Sequence, residues 1–255
     1  MAAVAELLRS HMPADQSDWL DLAQTLGQGK LRERAARMDE ENRFPFENYD
    51  DLRQSGLLGL TVPKEYGGGG VDSVTYVGVL TEIAQGCAST GLTFNMHCAI
   101  IDFLSQIASP NQKKKYFHEV VDEGAVLASI TSEPASSFRD VFRVKTQIVE
   151  DDDGYRLNGT KAWCSLSTAA RYYFTWSRLK NSETLADGLL NVMVPSDRPG
   201  IEILDDWDTL GMRATASNSI KFDNVRLEQD EVIGAPGVIL TKDLSFWSLG
   251  YTAVY

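Results

Sequence analysis

Three stretches of the sequence combine residue types that could do chemistry. Trp163-Cys164-Ser165 closes a segment, 155–165, that reads as a strand. A strand period of two sends Trp163 and Ser165 to one side and Cys164 to the other. A flat indole beside a hydroxyl suits a planar heteroaromatic ligand with polar ring atoms, since one can pack on the ring and the other can bond a ring nitrogen or carbonyl. Taken alone, the pattern is better accounted for by a core tryptophan with an incidental serine. The second stretch is Thr131-Ser132-Glu133-Pro134-Ala135-Ser136-Ser137, which follows a strand and is dense in hydroxyls. Such a loop can offer hydroxyls and backbone N–H groups to a phosphate or a polar heterocycle edge. By itself a polar turn nucleated by Pro134 is the simpler account. The third is His97, within the apolar helical run Asn95-Met96-His97-Cys98. A buried histidine there needs a partner or faces a cavity, and a satisfied core histidine is the commoner case.

Other chemistries are excluded by what the sequence lacks. There is no Gly-x-Ser-x-Gly, HExxH or EF-hand loop. Gly67-Gly68-Gly69-Gly70 is not followed by the Lys-Ser/Thr of a phosphate-binding loop. Cys87, Cys98 and Cys164 have neither CxxC nor zinc spacing, which suggests packed, reduced thiols in a cytoplasmic protein. The net charge of -12 argues against a nucleic-acid partner. The run Lys113-Lys114-Lys115 reads as a solvated helix face. No secretory signal or membrane-length apolar run is expected.

The elements that must position these residues divide the 255-residue chain in two. The first half reads as helices. Pro45, Phe46, Tyr49, Leu52 and Gly56 outline a short one. Asp72 or Ser73 caps another, with Val74, Val77, Leu80, Ile83 and Ala84 on its inner face. Residues 89–106 are apolar nearly all round and predict a helix buried in a bundle. Pro110 and Asn111 open a further helix that places Phe117, Val120 and Val121 inward and stops at Gly124. From about residue 125 strand-like segments follow: 126–130, 144–150, 155–165, 172–179, 189–195, 201–205 and 218–227. Asp153-Gly154, Asn158-Gly159 and Asp187-Gly188 supply turn chemistry. These predict a β unit of barrel or sandwich type, closed by antiparallel pairing. After Pro236-Gly237 the pattern is helical again. The expectation is an α+β chain: an N-terminal helical domain (1–124), a β-barrel-like domain (125–236), and the truncated start of a C-terminal helical bundle (237–255).

The ordered set of motifs resembles the acyl-CoA dehydrogenase superfamily from about Leu31 to Gly237. It comprises Gly56-Leu57-Leu58-Gly59-Leu60, Val62-Pro63 and Tyr66-Gly67-Gly68, then Ile130-Thr131-Ser132-Glu133-Pro134. Leu157-Asn158-Gly159-Thr160-Lys161-Ala162-Trp163-Cys164-Ser165 follows, then Leu210-Gly211-Met212-Arg213 and Phe222-Asp223-Asn224-Val225. The resemblance implies a flavin site at the domain junction. Thr131 and Ser132 would contact the pyrimidine edge and Trp163 would pack by the isoalloxazine. Ser165 would bond near the reactive nitrogen, and Cys164 would contribute backbone. Two departures stand out. The family commonly reads Glu-Pro-Gly-Ala-Gly-Ser-Asp where this chain has Glu133-Pro134-Ala135-Ser136-Ser137-Phe138-Arg139-Asp140, so the family's flavin-contacting serine maps to Ser137 or falls on Phe138. The family's glutamate base has no counterpart in Ser245-Phe246-Trp247-Ser248-Leu249.

The resemblance implies first a flavin-dependent oxidoreductase with FAD, acting on the CH–CH group of an acyl thioester such as an acyl-CoA. It implies second a reduced-flavin monooxygenase of the same fold. FMN is then a possible cofactor, the catalytic glutamate is dispensable, and His97 is the candidate facing the flavin pocket. A third reading, from another class, is a non-catalytic remnant or partner-binding fragment. A homo-oligomer, dimer or tetramer, is expected of the complete protein, with a small-molecule substrate and neither nucleic acid nor membrane as partner.

Overall fold

The computed structural model describes residues 2–134, 144–152, 154–243 and 245–254, apart from the side chains of 2–6 and of Trp247. The candidate Ser137 lies outside the described residues. Helices come first: α1 (Ala2–His11), α2 (Ser17–Leu26), α3 (Arg32–Glu40), α4 (Phe46–Gln54), α5 (Ser73–Gly86), α6 (Ala88–Ile107) and α7 (Pro110–Glu123). The Asp72 side chain caps α5 by accepting from Thr75 N, and Ser109 and Gln112 form a reciprocal capping box on α7. Between α2 and α3 the chain makes a wide π-type turn, Gly27–Leu31. There Gly27 and Gly86 let two backbones touch. A Cβ on Gly27 would overlap the carbonyl of Glu82, and one on Gly86 the carbonyl of Gly27.

The inner face expected for α5 is corrected. The helix buries Thr75, Tyr76, Gly78, Val79, Leu80, Glu82, Ile83 and Gly86, whereas Val74, Val77 and Ala84 are only half-buried. Neighbours surround it: α2 and the π turn on one side, α6 on another, and a C-terminal helix on a third. The half-buried residues Val74, Val77, Thr81 and Ala84 recur at helical spacing, so the apolar residues Val74, Val77 and Ala84 lie on the wetter stripe of α5.

The sheet contains β1 (Leu127–Ser129), β2 (Gln147–Asp151), β3 (Gly154–Lys161), β4 (Tyr172–Leu179), β5 (Leu189–Pro195), β6 (Ile201–Ile203), β7 (Ile220–Leu227) and β8 (Val232–Ile233). A short helix, α8 (Leu185–Gly188), precedes β5, and α9 (Ser245–Val254) ends the described chain. The strand order is β6-β7-β3-β2-β4-β5-β8, with β1 beside β4. The antiparallel-only expectation is corrected, because β1–β4 and β2–β4 are parallel.

The register explains why. Leu127 faces Tyr172 and Gln147 faces Arg178, so the chain advances 20 residues (127 to 147) while β4 advances 6 (172 to 178). β1 and β2 are two halves of one strand running beside β4, and the register leaves a surplus of 14 residues between them, an excursion in the chain's numbering. That excursion carries Thr131 and Ser132 at its root. β8, only two residues long, was not foreseen.

The β4 side chains alternate between two cores, as a strand buried on both faces must. Tyr172, Phe174 and Trp176 pack with Ile100, Phe103, Tyr116 and Phe117 of α6 and α7. Tyr173 joins Ile148, Leu157, Val192 and Phe222 inside the sheet's other face. A third core lies among the helices around Tyr76, Leu80 and Phe94. There α9 docks, with the Phe246 ring stacked on Tyr76 at 4.3 Å between centroids.

Candidate functional site

A cleft of about 250 Å³ opens where the helices, the sheet and α9 meet, lined by Leu92, Met96, Ser129, Thr131, Ser132, Trp163, Ser165 and Tyr251. One wall is apolar, from α6; the other carries four hydroxyl side chains. None of the described lining residues is charged. A larger groove of about 660 Å³ beside α7, lined by Tyr66, Lys114, Lys115 and His118 among others, holds none of the candidate residues.

Four sequence candidates therefore meet: Thr131, Ser132, Trp163 and Ser165. They come from two loops tied together at the root, where Ala162 N donates to Ser132 O at 3.0 Å. Beneath them lies a buried ion pair. Lys161 Nζ is 2.8 Å from Glu133 Oε1 and also donates to Trp176 O at 2.7 Å. Glu133 further accepts from Lys145 N (2.7 Å), Thr146 N (2.9 Å) and Thr146 Oγ1 (2.7 Å). This carboxylate closes the base of the excursion, bridging its entry at 133 to its exit at 145–146. Burial alone would raise the Glu133 carboxyl; the Lys161 ammonium and the donors of Thr146 outweigh it and hold the group below the usual range. The same bonds explain why β2 begins at Gln147 and not at 144. The N–H groups of 145 and 146 serve Glu133 instead of the ladder.

β3 ends at Lys161, short of the expected 165. Trp163 takes a left-handed backbone, φ 54°, and Leu166 another, φ 69°. Such a conformation in a bulky residue costs about 1–3 kcal/mol and persists only where its surroundings impose it. Here Cys164 N donates to Asn218 O (3.1 Å) and Leu166 N to Thr215 O (3.0 Å), which zips the loop onto 215–218. Tyr173 Oη adds a bond to Ser167 O at 2.5 Å. As a result Trp163 is presented on the surface, 61% exposed. The outcome of the strand argument holds, with Trp163 and Ser165 toward the cleft and Cys164 away, although the backbone there is no strand. Cys164 is fully buried, and burial pushes its thiol up to about 12. Ser165 Oγ lies 2.7 Å from Ser217 Oγ, which lies 2.6 Å from Thr215 Oγ1.

His97 is corrected as a pocket residue. It is buried and does not line the cleft. Leu127 N donates to its Nδ1 at 3.0 Å, so Nδ1 carries no proton, and Nε2–H donates to Leu58 O at 2.9 Å. Both nitrogens are engaged, and the ring rivets α6 to β1 and to the turn after α4. Burial pushes its pKa down to about 4.

Five cleft or support residues were not anticipated: Leu92, Met96, Ser129, Ser217 and Tyr251. Leu92 and Met96 are one helical turn apart, but the uniform apolarity of α6 hid that face. Tyr251 is carried in by α9, whose approach depends on Gly250, where a Cβ would overlap Asn95 Oδ1. Among the described residues no helix is long and apolar enough to cross a membrane. No group of three or more His, Cys, Asp or Glu among them could hold a metal.

Family comparison agrees with this architecture. The model of the acyl-CoA dehydrogenase N-terminal domain matches residues 13–123, and that of the middle domain matches 128–225. Dibenzothiophene monooxygenase of Rhodococcus erythropolis is 34% identical over 83% of this chain and 50% of its own length. The mitochondrial short-chain specific acyl-CoA dehydrogenase of Rattus norvegicus is 29% identical over 80% of this chain and 49% of its own. The chain thus spans about half the length of these relatives. Among solved structures, FMN-bound TdsC from Paenibacillus sp. A11-2 superposes with a TM-score of 0.85 at 30% identity, covering 93% of this chain and 61% of that one. Butyryl-CoA dehydrogenase from Megasphaera elsdenii, at 22% identity, TM-score 0.83 and coverage of 95% and 63%, speaks to the fold alone. With helices matching the N-terminal domain and a mixed sheet matching the middle domain, the chain belongs to the acyl-CoA dehydrogenase family.

Proposed function

We propose that this chain carries the flavin-holding part of a flavin-dependent oxidoreductase, with the isoalloxazine ring in the cleft. One observation carries the reading: Thr131, Ser132, Trp163 and Ser165, from separate loops, converge on one cleft whose described lining is uncharged. The residues fit the group. The Thr131 and Ser132 hydroxyls line the cleft and can serve a pyrimidine edge. The Trp163 indole offers an exposed flat face. Ser165 is placed for the ring's reactive nitrogen, and Cys164 supplies backbone only. A bound flavin would supply the redox chemistry; the protein orients it and shields it from water. Ser137 belongs to the same proposal by sequence alone.

Two chemistries are compatible with the cleft. The higher identity to dibenzothiophene monooxygenases, 34% against 29%, favours a reduced-flavin monooxygenase, with FMN, the flavin bound in TdsC, as the cofactor to test first. Dehydrogenation of an acyl thioester at CH–CH, with FAD, is the second reading, supported by the matched family models. In both, residues 1–124, 125–236 and 237–255 act as three units of a homo-oligomeric cytoplasmic protein with a small-molecule substrate.

Absorbance of the purified protein after mixing with flavin tests the shared claim; failure to retain a flavin chromophore refutes it and favours the non-catalytic reading. Anaerobic mixing with acyl-CoA then separates the chemistries. Bleaching supports the dehydrogenase. Oxygen uptake with supplied reduced flavin, without bleaching by acyl-CoA, supports the monooxygenase.

A further inference from the structure

The serine on the cleft sits at the end of a chain of hydroxyls whose proton order is dictated by its far end. Thr215 Oγ1 lies 2.9 Å from Met212 O. A carbonyl can only accept, so the Thr215 proton points at Met212. Ser217 Oγ is 2.6 Å from Thr215 Oγ1, and the single proton left to sit between them is that of Ser217. Ser165 Oγ is 2.7 Å from Ser217 Oγ, and the only proton left for that contact is that of Ser165. All three side chains are buried, with Thr215 fully so. Each hydroxyl has one proton, and each proton is spent pointing away from the cleft. Ser165 therefore offers the cleft lone pairs only.

We infer that the Ser165–Ser217–Thr215 relay makes Ser165 an obligate hydrogen-bond acceptor and so selects the reduced form of the flavin over the oxidised form. This rests on the proposed placement of the isoalloxazine against Ser165. Oxidised flavin presents a bare ring nitrogen at its reactive position, which wants a donor. Two-electron reduction adds a hydrogen to that nitrogen, which then wants an acceptor. A serine free to rotate would serve both forms, whereas one pinned as acceptor serves only the reduced form. The residues that set the preference, Ser217 and Thr215, need not touch the ring. They are positioning residues, acting through Ser165.

The test is the ratio of dissociation constants for oxidised and anaerobically reduced FMN, measured by titration of the full chain. Ser217→Ala frees the Ser165 proton, so Ser165 can now also donate. Oxidised FMN should bind about tenfold tighter and reduced FMN unchanged, a fall in the ratio equivalent to about 30 mV in the midpoint potential of the bound two-electron couple. Thr215→Val should act in the same direction, because Ser217 is then free to donate back to Ser165. Ser165→Ala should lower the ratio from the other side, by weakening reduced FMN and leaving oxidised FMN unchanged. A merely structural role would weaken both forms alike in all three variants. That result, or a ratio unmoved by Ser217→Ala and Thr215→Val, overturns the relay while leaving flavin binding standing. Failure of the unsubstituted chain to bind FMN in either state overturns the flavin reading and this inference with it.

Discussion

Lys161→Met probes the feature on which the site's geometry depends. The Lys161 ammonium and the Glu133 carboxylate are both out of water, at 0% and 4% side-chain exposure and 2.8 Å apart. Methionine removes the charge and keeps most of the volume. It leaves Glu133 in place with the donors of Lys145 and Thr146 but without its counter-ion. Breaking a buried pair from one side costs about 3–5 kcal/mol, because the remaining charge is uncompensated. For a chain of this size about 1 kcal/mol moves Tm by roughly 2–4 °C, so Tm should fall by roughly 6–20 °C. The pair's own contribution appears when Glu133→Gln is added. The double variant should be less destabilised than the sum of the singles by about 1–3 kcal/mol, since neither buried group is then charged. Thermal and urea unfolding of the four proteins supply the numbers. A Lys161→Met effect under about 1 kcal/mol would refute the argument that the pair closes the excursion, as would strict additivity in the cycle.

Other consequences are as specific. His97 is neutral in the fold, with its pKa pushed down by burial to about 4, below the unfolded value near 6.5. Protons therefore bind the unfolded chain first, and stability falls as pH drops from about 6.5 to 4, by about 3 kcal/mol in all. The folded variant His97→Gln should lose that part of the acid slope in urea titrations. Trp163→Gly deletes the bulkiest side-chain type yet relieves a left-handed backbone at φ 54°, so Tm should stay within a few degrees of the parent while FMN affinity drops. Gly250→Ala should push α9 off Asn95, seen as faster hydrogen exchange in 245–254 with the sheet unaffected. Cys164, buried with its thiol raised to about 12, should resist disulfide reagents until the protein unfolds.

The helices and strands were legible in sequence wherever a single physical signal dominated. Pro110-Asn111 marked the start of α7, and β-branched and aromatic content marked Tyr172–Leu179 and Leu189–Pro195 to the residue. Signals failed where tertiary bonds overrode them. The β2 start is set by a carboxylate 12 residues upstream of Lys145, and the β3 end by backbone bonds to 215–218, neither of which local propensity can see. Asn158-Gly159 likewise reads as a turn but is a bulge within β3, with Gly159 at φ 150°. In the candidate site, the two loops could be found because hydroxyls and an aromatic cluster there. The supporting Ser217, the Glu133–Lys161 pair and Tyr251 could not, since each acts through a partner distant in sequence. His97 could be read as a satisfied core residue or as a pocket residue, and only the positions of Leu58 O and Leu127 N decide between them.

The central claim is that the cleft between α6, the loops at 131–132 and 163–165, and α9 holds an isoalloxazine ring. Fluorescence titration of FMN with the unsubstituted chain and with the Thr131→Val, Ser132→Ala double variant tests it most directly. The account predicts saturable, one-to-one quenching by the unsubstituted chain and binding about tenfold or more weaker in the variant, which loses two hydrogen bonds to the ring. No saturable binding, or equal affinity for both proteins, would contradict it.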